Sequence, residues 1–543
     1  MTGILKRIGN ALGRGSGEVH ATPRLAAEAA EEWLRQGLMH QQAGDLESAG
    51  ESYRKVLERD PDQAEALYRL GELASLEGDV AGAIGLFERA VESARDVAQY
   101  RYALGCMLGS AGQLAQAAER YREALALDVS HAAAHNNLGH ILLQQGEMAL
   151  HGGAEPAAAQ QDAKRLGTAW LDESLSHFQA AIENAPGYAD AHLNLGFALV
   201  RRRRLDEALV HYDRALAIDP EFVDAHFNRA IALLSLGRHA EGWAEYEWRW
   251  RRPDSASKPA LEQPEWDGSI DAGMTLALYT EQGFGDSIQF ARYASWLAGH
   301  GIRIIVWTQA ELKGLFESLP GVTAVQASSK IEAGFDAHCA LLSVPGKLGA
   351  RCGPLPWERP YLSANPALVE AWRARLAVAD PPAGRVRRVG VVWASEPRNR
   401  IATLKSVKLA EFMPLWADEK SQFISLQKGD AARQAAQSSP PPAMVDLTDG
   451  IESFADTAAI IANLDIVISV DTAVAHLAGA MGKPVWLLLQ HAPDWRWYPD
   501  AQATHWYPSM RLYRQPFPGD WRSVLSRVAQ DLQAFPAAGS SAR

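Results

Sequence analysis

The strongest constraint on this chain is a periodicity. Small residues recur at Gly37, Gly71, Gly105, Gly139, Gly196 and Ala230, with successive spacings of 34, 34, 34, 57 and 34 residues. Twelve positions further on, allowing for extra residues in the fourth unit, stand Ala49, Ala83, Ala117, Ser174, Ala208 and Gly242. Four beyond those come Tyr53, Phe87, Tyr121, Phe178, Tyr212 and Tyr246. Small residues at fixed helical positions let paired helices approach closely, and an aromatic residue fills the space between neighbouring units. Pro61, Pro186 and Pro220 fall where each second helix must stop, because proline cannot continue a helix. Self-similarity at this period predicts a solenoid of stacked helix pairs rather than a closed globule.

Over residues 30–252 the pattern closely resembles the tetratricopeptide repeat, in six units. The one irregular spacing places about 23 extra residues inside the fourth unit, near 148–170, around HGGAEPAAAQQDAKRLGT. Its Gly, Pro and Ala content suits a surface excursion that leaves the stacking intact, and either a tolerated insertion or a partner-recognition element fits. Stacked pairs form a concave groove suited to extended peptides. The groove-facing position holds Asn137, Asn194 and Asn228 in the last three units, but Arg35, Arg69 and Ala103 in the first three. A carboxamide offers donor and acceptor together and can pair with a peptide backbone. This resembles the asparagine ladder of the nucleocytoplasmic O-GlcNAc transferase. Asparagine as a merely frequent residue at this position is the alternative.

Composition limits the rest. A chain of 543 residues exceeds one ordinary core. A formal net charge of −12 argues against general binding to nucleic acid. No apolar run is long enough to span a bilayer, so no stable membrane insertion is expected. The leader, residues 1–29, carries basic residues without a continuous apolar core or cleavage site and reads as flexible rather than as a signal peptide. Cys106, Cys339 and Cys352 lie too far apart in sequence for a disulfide framework or zinc site, and no metal is expected. Together these point to the cytoplasm.

At the junction the repeat dissolves into EGWAEYEWRWRRPDSASKPALEQPEW. A terminal repeat must cover its open face, so Trp243, Tyr246, Trp248 and Trp250 are expected to bury that end against the next domain. Residues 253–264 read as a stiff linker. Beyond 274 the period changes to short apolar strands alternating with helices: MTLALYT, IRIIVWT, RRVGVVWA, FISLQ, DIVISV and PVWLLLQ. Such alternation predicts two parallel-sheet domains of Rossmann type, at 265–365 and 385–535, separated by a stretch around 364–386. The expected fold class is therefore an all-α solenoid followed by an α/β pair of Rossmann-like domains, the GT-B arrangement. The C-terminal strand and helix close the second domain, GT-B helices at this position often cross back to the first, and 536–543 read as a disordered tail.

Three motifs carry the chemistry. In TEQGFGDSIQFARY, Gly283 and Gly285 permit a tight turn after the first strand, and Asp286 stands near the following helix start. Asp286 either caps that helix or takes a proton from an acceptor hydroxyl. No Walker lysine follows, and GFGD is not the dinucleotide fingerprint. In ISVDTAVAHLAGAMGKPVWLLL, Asp471 and Thr472 open a helix whose free amides suit a diphosphate. Thr472 and His476 are four apart and share one face. A capped, well-packed helix with a satisfied histidine is the bland alternative. In VGVVWASEPRNRIATLKSVKL, Ser395 follows a strand, and Arg398, Arg400, Lys405 and Lys408 form either a phosphate-neutralising cluster or a solvated loop.

In order, GFGDSIQFARY, VGVVWAS, SLQKGD, SVDTAVAHLAGAMGKPVWLLL and APDWRWYPD make residues 274–520 resemble the heptosyltransferase family, especially its bacterial branch carrying tetratricopeptide repeats. That resemblance implies metal-independent, inverting transfer from a nucleotide-activated sugar, the only co-substrate, with no cofactor. It implies Asp286 as general base. It implies donor binding by Gly283, Gly285, Ser395, Lys405, Gln427, Asp471, Thr472 and His476. Two departures stand out: Ala394 or Ser395 replaces a family glycine, and IATLKSV replaces an arginine-bearing run. The attached solenoid implies a protein acceptor held in its groove and modified on Ser or Thr, and flagellin glycosyltransferases share this organisation. A lipopolysaccharide or other glycan acceptor, and a scaffold that no longer transfers sugar, are the alternatives.

Overall fold

A computed structural model describes residues 23–151, 157–253, 257–331, 334–349, 359–378, 387–396, 402–437, 444–498 and 501–536. Arg398, Arg400 and Cys352, most of the leader and the tail after 536 lie outside the described residues. The chain divides into two compact units. One runs to Gln145 and includes Asp172–Gly187; the other comprises Gly146–Leu171 and everything from Tyr188 onward. Repeats five and six thus belong to the same compact unit as the α/β half.

The first unit is built of antiparallel helix pairs: Pro23–Gln42 with Leu46–Arg59, Ala64–Leu76 with Val80–Ser93, and Ala98–Ser110 with Leu114–Leu127. The repeated glycine explains itself at once. A Cβ on Gly105 would stand 2.7 Å from the Tyr121 ring, and one on Gly139 2.8 Å from Phe178. Each aromatic residue therefore packs directly on the glycine of its own unit, as well as filling the stack. Asp45 and Asp79 cap the second helices of their units by accepting from Ser48 N and Gly82 N at 3.1 and 2.9 Å.

The second unit begins with helical extensions rather than a loop. Helices Ala132–His151 and Ala157–Asn184 carry the fourth-unit insertion, and Gly146 and Gly167 bring their backbones together. Glu147, Leu150, Lys164 and Leu171 of this extension sit beside Gln490–Ala492, Gln515, Pro518 and Gly519 of the α/β half. Repeats five and six follow as Ala189–Arg201 with Leu205–Ile218 and Val223–Ser235 with His239–Tyr246.

The α/β half holds two wholly parallel sheets. The first contains β1 (Thr275–Tyr279), β2 (Arg303–Trp307), β3 (Ala324–Gln326) and β4 (Ala337–Ala340), in the order 3-2-1-4. The second contains β5 (Arg387–Val392), β6 (Ser421–Ser425), β7 (Met444–Asp446), β8 (Ile466–Val470), β9 (Val485–Leu489) and β10 (Met510–Arg514), in the order 10-9-8-5-6-7. Numbered from β5, that is the doubly wound order 3-2-1-4-5-6. Strands buried on both faces are apolar almost throughout, and β8 and β9 are buried at every position with Ser469 their one polar residue. Val467, Val485 and Leu487 face a core shared with the first sheet and the last repeat. Ile466, Ile468, Trp486 and Leu488 face the other side, under helix Trp521–Ala534.

That terminal helix does not cross back to the first sheet, contrary to expectation. Leu525, Val528 and Leu532 bury it on the second sheet, and the Arg387 guanidinium holds its C-terminal carbonyls, at Leu532 and Phe535. The crossing is made by residues 359–378. Tyr361 N donates to Ala480 O at 3.0 Å, and helix Pro366–Val378 packs on Phe454–Ala462.

The glycine contacts give a paired prediction for chemical unfolding followed by circular dichroism. Gly105→Ala is expected to cost about 1–3 kcal/mol from overpacking against Tyr121, outweighing the gain in helix propensity of about 1 kcal/mol. Gly85→Ala, where a Cβ meets nothing within 4 Å, is expected to stabilise the chain by about 0.5–1 kcal/mol.

Candidate active site

Ligands of doubly wound sheets bind beyond the strands' C-terminal ends, where the strand order reverses. Here the loops after β1, β2, β5, β6, β8 and β9 surround one cleft of about 1120 Å³. Its walls include Gly283, Gly285, Asp286, Ser395, Lys405, Gln427, Asp471, Thr472 and His476. The structure therefore gathers the residues that the family resemblance assigned to catalysis and donor binding. Three further lining residues, Phe227, Ile231 and Tyr246, come from the last repeat.

The loop after β1 is held from outside. Arg249 is buried in the one-turn segment Glu247–Arg251 that follows the last repeat. Its Nη2 and Nε donate to the two oxygens of buried Glu281 at 2.7 and 3.2 Å, and Nη2 also reaches Ser343 Oγ at 2.7 Å. Burial pushes Glu281 above the usual carboxylate range, although Arg249 opposes it. Tyr246 donates to Gln282 Oε1 at 3.2 Å. The backbone strain of this turn sits on Gln282, at φ 60, and neither glycine next to it has a positive φ. The glycines thus serve less for turning than for approach. A Cβ on Gly285 would lie 3.1 Å from His476 Cδ2, so the helix starts at Phe284 and Ala473 abut there.

Asp286 does two things at once. Its Oδ2 accepts from Gly283 N at 3.1 Å, the capping role, while Oδ1 is paired with Arg496. Arg496 also reaches Asp494 Oδ1 at 2.7 Å and Gln289 Oε1 at 2.5 Å. Burial opposes the charge of Arg496, yet Asp494 and Asp286 outweigh it and raise its pKa. Each carboxylate oxygen has two lone-pair directions, so Asp286 keeps acceptor capacity toward the cleft.

On the opposite wall Lys405 Nζ donates to Asp471 Oδ2 at 2.6 Å, and His476 Nε2 stands 3.7 Å from Asp471 Oδ1. Burial alone would raise Asp471, but Lys405 and His476 prevail and hold it far below the ordinary range. Lys405 is raised in turn by Asp471 and Asp494 against its own desolvation. His476 Nδ1 lies 3.0 Å from Tyr507 Oη, and its ring stacks on Trp497. Thr472 caps helix Ala473–Ala480 without a side-chain cap bond, and its hydroxyl lies 3.1 Å from Ser469 Oγ. The first-turn amides of Ala473 and Val474 belong to cleft-lining residues and have no partner within the helix.

Several expectations need revision. Gln427 lines the cleft, but its Oε1 accepts from Trp393 N and Ala394 N at 3.1 and 2.8 Å, tying down the end of β5 rather than pointing a free carboxamide at a donor. Ser395 N donates to Ser406 Oγ at 3.0 Å. Lys408 is exposed and does not line the cleft, so the basic cluster reduces, among the described residues, to Lys405. Asp471 orients Lys405; a carboxylate so placed does not itself hold phosphate. Asn137 lies in the first compact unit, with its carboxamide near Tyr102 Oη (3.3 Å) and Cys106 Sγ (3.6 Å), while Asn194 and Asn228 are half-buried in the second. Sequence reasoning missed Arg496, Asp494 and Lys428. Lys428 Nζ donates to Ile451 O at 2.5 Å; among the described residues it is the cleft cation with no carboxylate partner. Among the described residues no group of three or more His, Cys, Asp or Glu is placed to hold a metal ion, and no helix is long and apolar enough to cross a membrane.

Fold and site define a class: tetratricopeptide repeats followed by a GT-B-like pair of parallel sheets with the cleft between them. Family models agree. Tetratricopeptide-repeat models match residues 34–98, 107–146 and 198–237, and the model for glycosyltransferase family 9 (heptosyltransferase) matches 430–499. The chain therefore combines tetratricopeptide repeats with a C-terminal glycosyltransferase family 9 domain. It is 28% identical over 335 residues to Protein FlbA of Caulobacter vibrioides. That match covers 56% of this chain and 54% of FlbA, so the chain spans about half the length of the curated relative it matches. Among solved structures it is similar to MamA (22% identity, TM-score 0.29, covering 36% of this chain and 94% of MamA). It is also similar to PilF of Pseudomonas aeruginosa (19% identity, TM-score 0.35, covering 42% of this chain and 95% of PilF).

The Lys405–Asp471 pair predicts a pH-dependent penalty. Asp471 is lowered from 3.8, so its contribution is full above that value and lost as pH falls through the lower, folded-state value. Lys405→Met is expected to cost about 3–5 kcal/mol near neutral pH by leaving Asp471 buried without its cation. The difference from wild type should shrink on acidification below the ordinary carboxylate value. Denaturant unfolding across the pH range measures it.

Proposed function

We propose that this chain is a glycosyltransferase that moves a sugar from a nucleotide-activated donor to a Ser or Thr hydroxyl of a protein, in the compartment where nucleotide sugars are made. The observation that carries this reading is the shared cleft, with Asp286 on the first-sheet side and Lys405, Thr472 and the amide end of helix Ala473–Ala480 on the other. The family 9 match over 430–499 covers Thr472 and helix Ala473–Ala480 of that second wall, and Lys405 lies outside it.

In the reaction Asp286 accepts the hydroxyl proton as the acceptor oxygen attacks the anomeric carbon. The new carbon–oxygen bond forms while the bond from that carbon to the donor diphosphate breaks, inverting the centre. The departing diphosphate carries the electron pair and is stabilised by the free amides, Lys405 and Lys428, without a metal. The cleft shields the donor from water. The acceptor protein is held by the repeats, where Asn194 and Asn228 of the fifth and sixth would bind its backbone. The close juxtaposition of the last repeat and the cleft supports a protein rather than a glycan acceptor, since Phe227, Ile231 and Tyr246 belong to that repeat and line the cleft.

A calorimetric screen of nucleotide sugars should find a donor that binds, with slow hydrolysis in the absence of acceptor. Asp286→Asn is expected to lower transfer by about 10²–10⁴-fold, the usual share of a general base. Full activity in that variant rules out Asp286. Excess EDTA should leave the rate unchanged; loss of activity restored by a divalent ion contradicts the metal-free mechanism. If wild type neither binds nor hydrolyses any donor, the chain is a scaffold.

A further inference from the structure

The last repeat does more than lie next to the cleft. Phe227 and Ile231 are one turn apart on helix Val223–Ser235 and share a face. Both are half-buried and both line the cleft. Phe227 meets the Tyr246 ring at 5.7 Å, and Arg252 covers it at 4.4 Å. The same helix packs on the turn Trp495–Trp497, whose Arg496 holds Asp286, and Tyr246 reaches the loop of Asp286 through Gln282. This apolar wall is therefore tied to Asp286 through Arg496 and Gln282, while Trp497 of the same turn stacks on His476 of the Lys405–Asp471 wall.

We propose that Phe227 and Ile231, with Tyr246 and Trp495, form an acceptor pocket that selects a peptide bearing an aliphatic or aromatic side chain next to the Ser or Thr presented to Asp286. The proposal rests on the protein-acceptor reading given above and supplies its sequence preference. The occupant is a peptide because the pocket belongs to a repeat helix and opens on the hydroxyl-accepting carboxylate. Charge supports the same occupant. Among the described lining residues, Asp286, Glu311, Glu396, Glu452, Asp471 and Asp494 outnumber Lys405, Lys428 and Arg496. Glu311, Glu396 and Glu452 are exposed. A segment with lysine or arginine farther from the acceptor residue complements them, and an acidic one is repelled.

The test is affinity selection on the full chain with a peptide library that has Ser at its centre and three randomised positions on each side. Wild type should enrich aliphatic or aromatic residues at one position near the serine by about tenfold over Ser or Asp, the discrimination an apolar pocket provides. Ile231→Asp should abolish that preference while enrichment of basic residues at the outer positions persists, which shows that the variant is folded and still binds peptide. No apolar enrichment in wild type, or enrichment unchanged in Ile231→Asp, overturns the proposal. So does an Ile231→Asp variant whose affinity for nucleotide sugar falls while peptide selection is unchanged, because the pocket then belongs to the donor. Donor binding is read separately by calorimetry, so failure here is distinguishable from failure of the transferase reading.

Discussion

Arg249 is a charge withdrawn from water, and such a charge persists only where carboxylates and hydroxyls surround it. Glu281, Glu247 and Ser343 supply that surrounding, and Glu281 lies at the mouth of the loop bearing Asp286. Breaking the pair leaves Glu281 buried without its cation, so the loop and the cap of the last repeat hold or fail together. Trp243 extends the same seam by packing edge-on against Phe290 and Trp495 at 5.6 and 5.3 Å. The last repeat is thus a structural part of the α/β half and not a detachable adaptor.

A second consequence concerns charge. Asp286 and Asp494 share Arg496, and Asp471 takes Lys405, so these two cations of the cleft are already paired. In the proposed reaction a diphosphate entering such a site relies first on oriented amides and Lys428, and competes for cations already paired. Preorganisation of this kind holds the reacting groups in place before substrate arrives, since none of these side chains has to be drawn in from solvent.

Much of the fold was legible because it is written in periods. The Gly37-to-Ala230 register announces helix pairs, and the two-sided apolar runs in β8 and β9 announce a covered parallel sheet. The first signal needs close packing at one residue per unit, and the second needs burial of every residue in a strand. The site was legible in part. Asp286, Lys405 and the Asp471–His476 segment follow strand ends, which periodicity locates. Arg496 was not legible, because it sits in a loop whose path depends on Trp495 and Trp497 packing on the last repeat and on His476. Nor was the engagement of the Gln427 carboxamide with the β5 backbone, which depends on how β5 and β6 end relative to one another. The course of the terminal helix was set by Arg387, an arginine at the start of a strand that looks, in sequence, like any solvated charge.

The most direct measurement of the central claim is intact-mass spectrometry of surface proteins from cells carrying the wild-type chain, compared with cells carrying Asp286→Asn at equal abundance. The account predicts at least one protein that is lighter in the variant by whole sugar residues, with the sugars mapped to Ser or Thr. Identical masses for every surface protein in the two cell lines would contradict it.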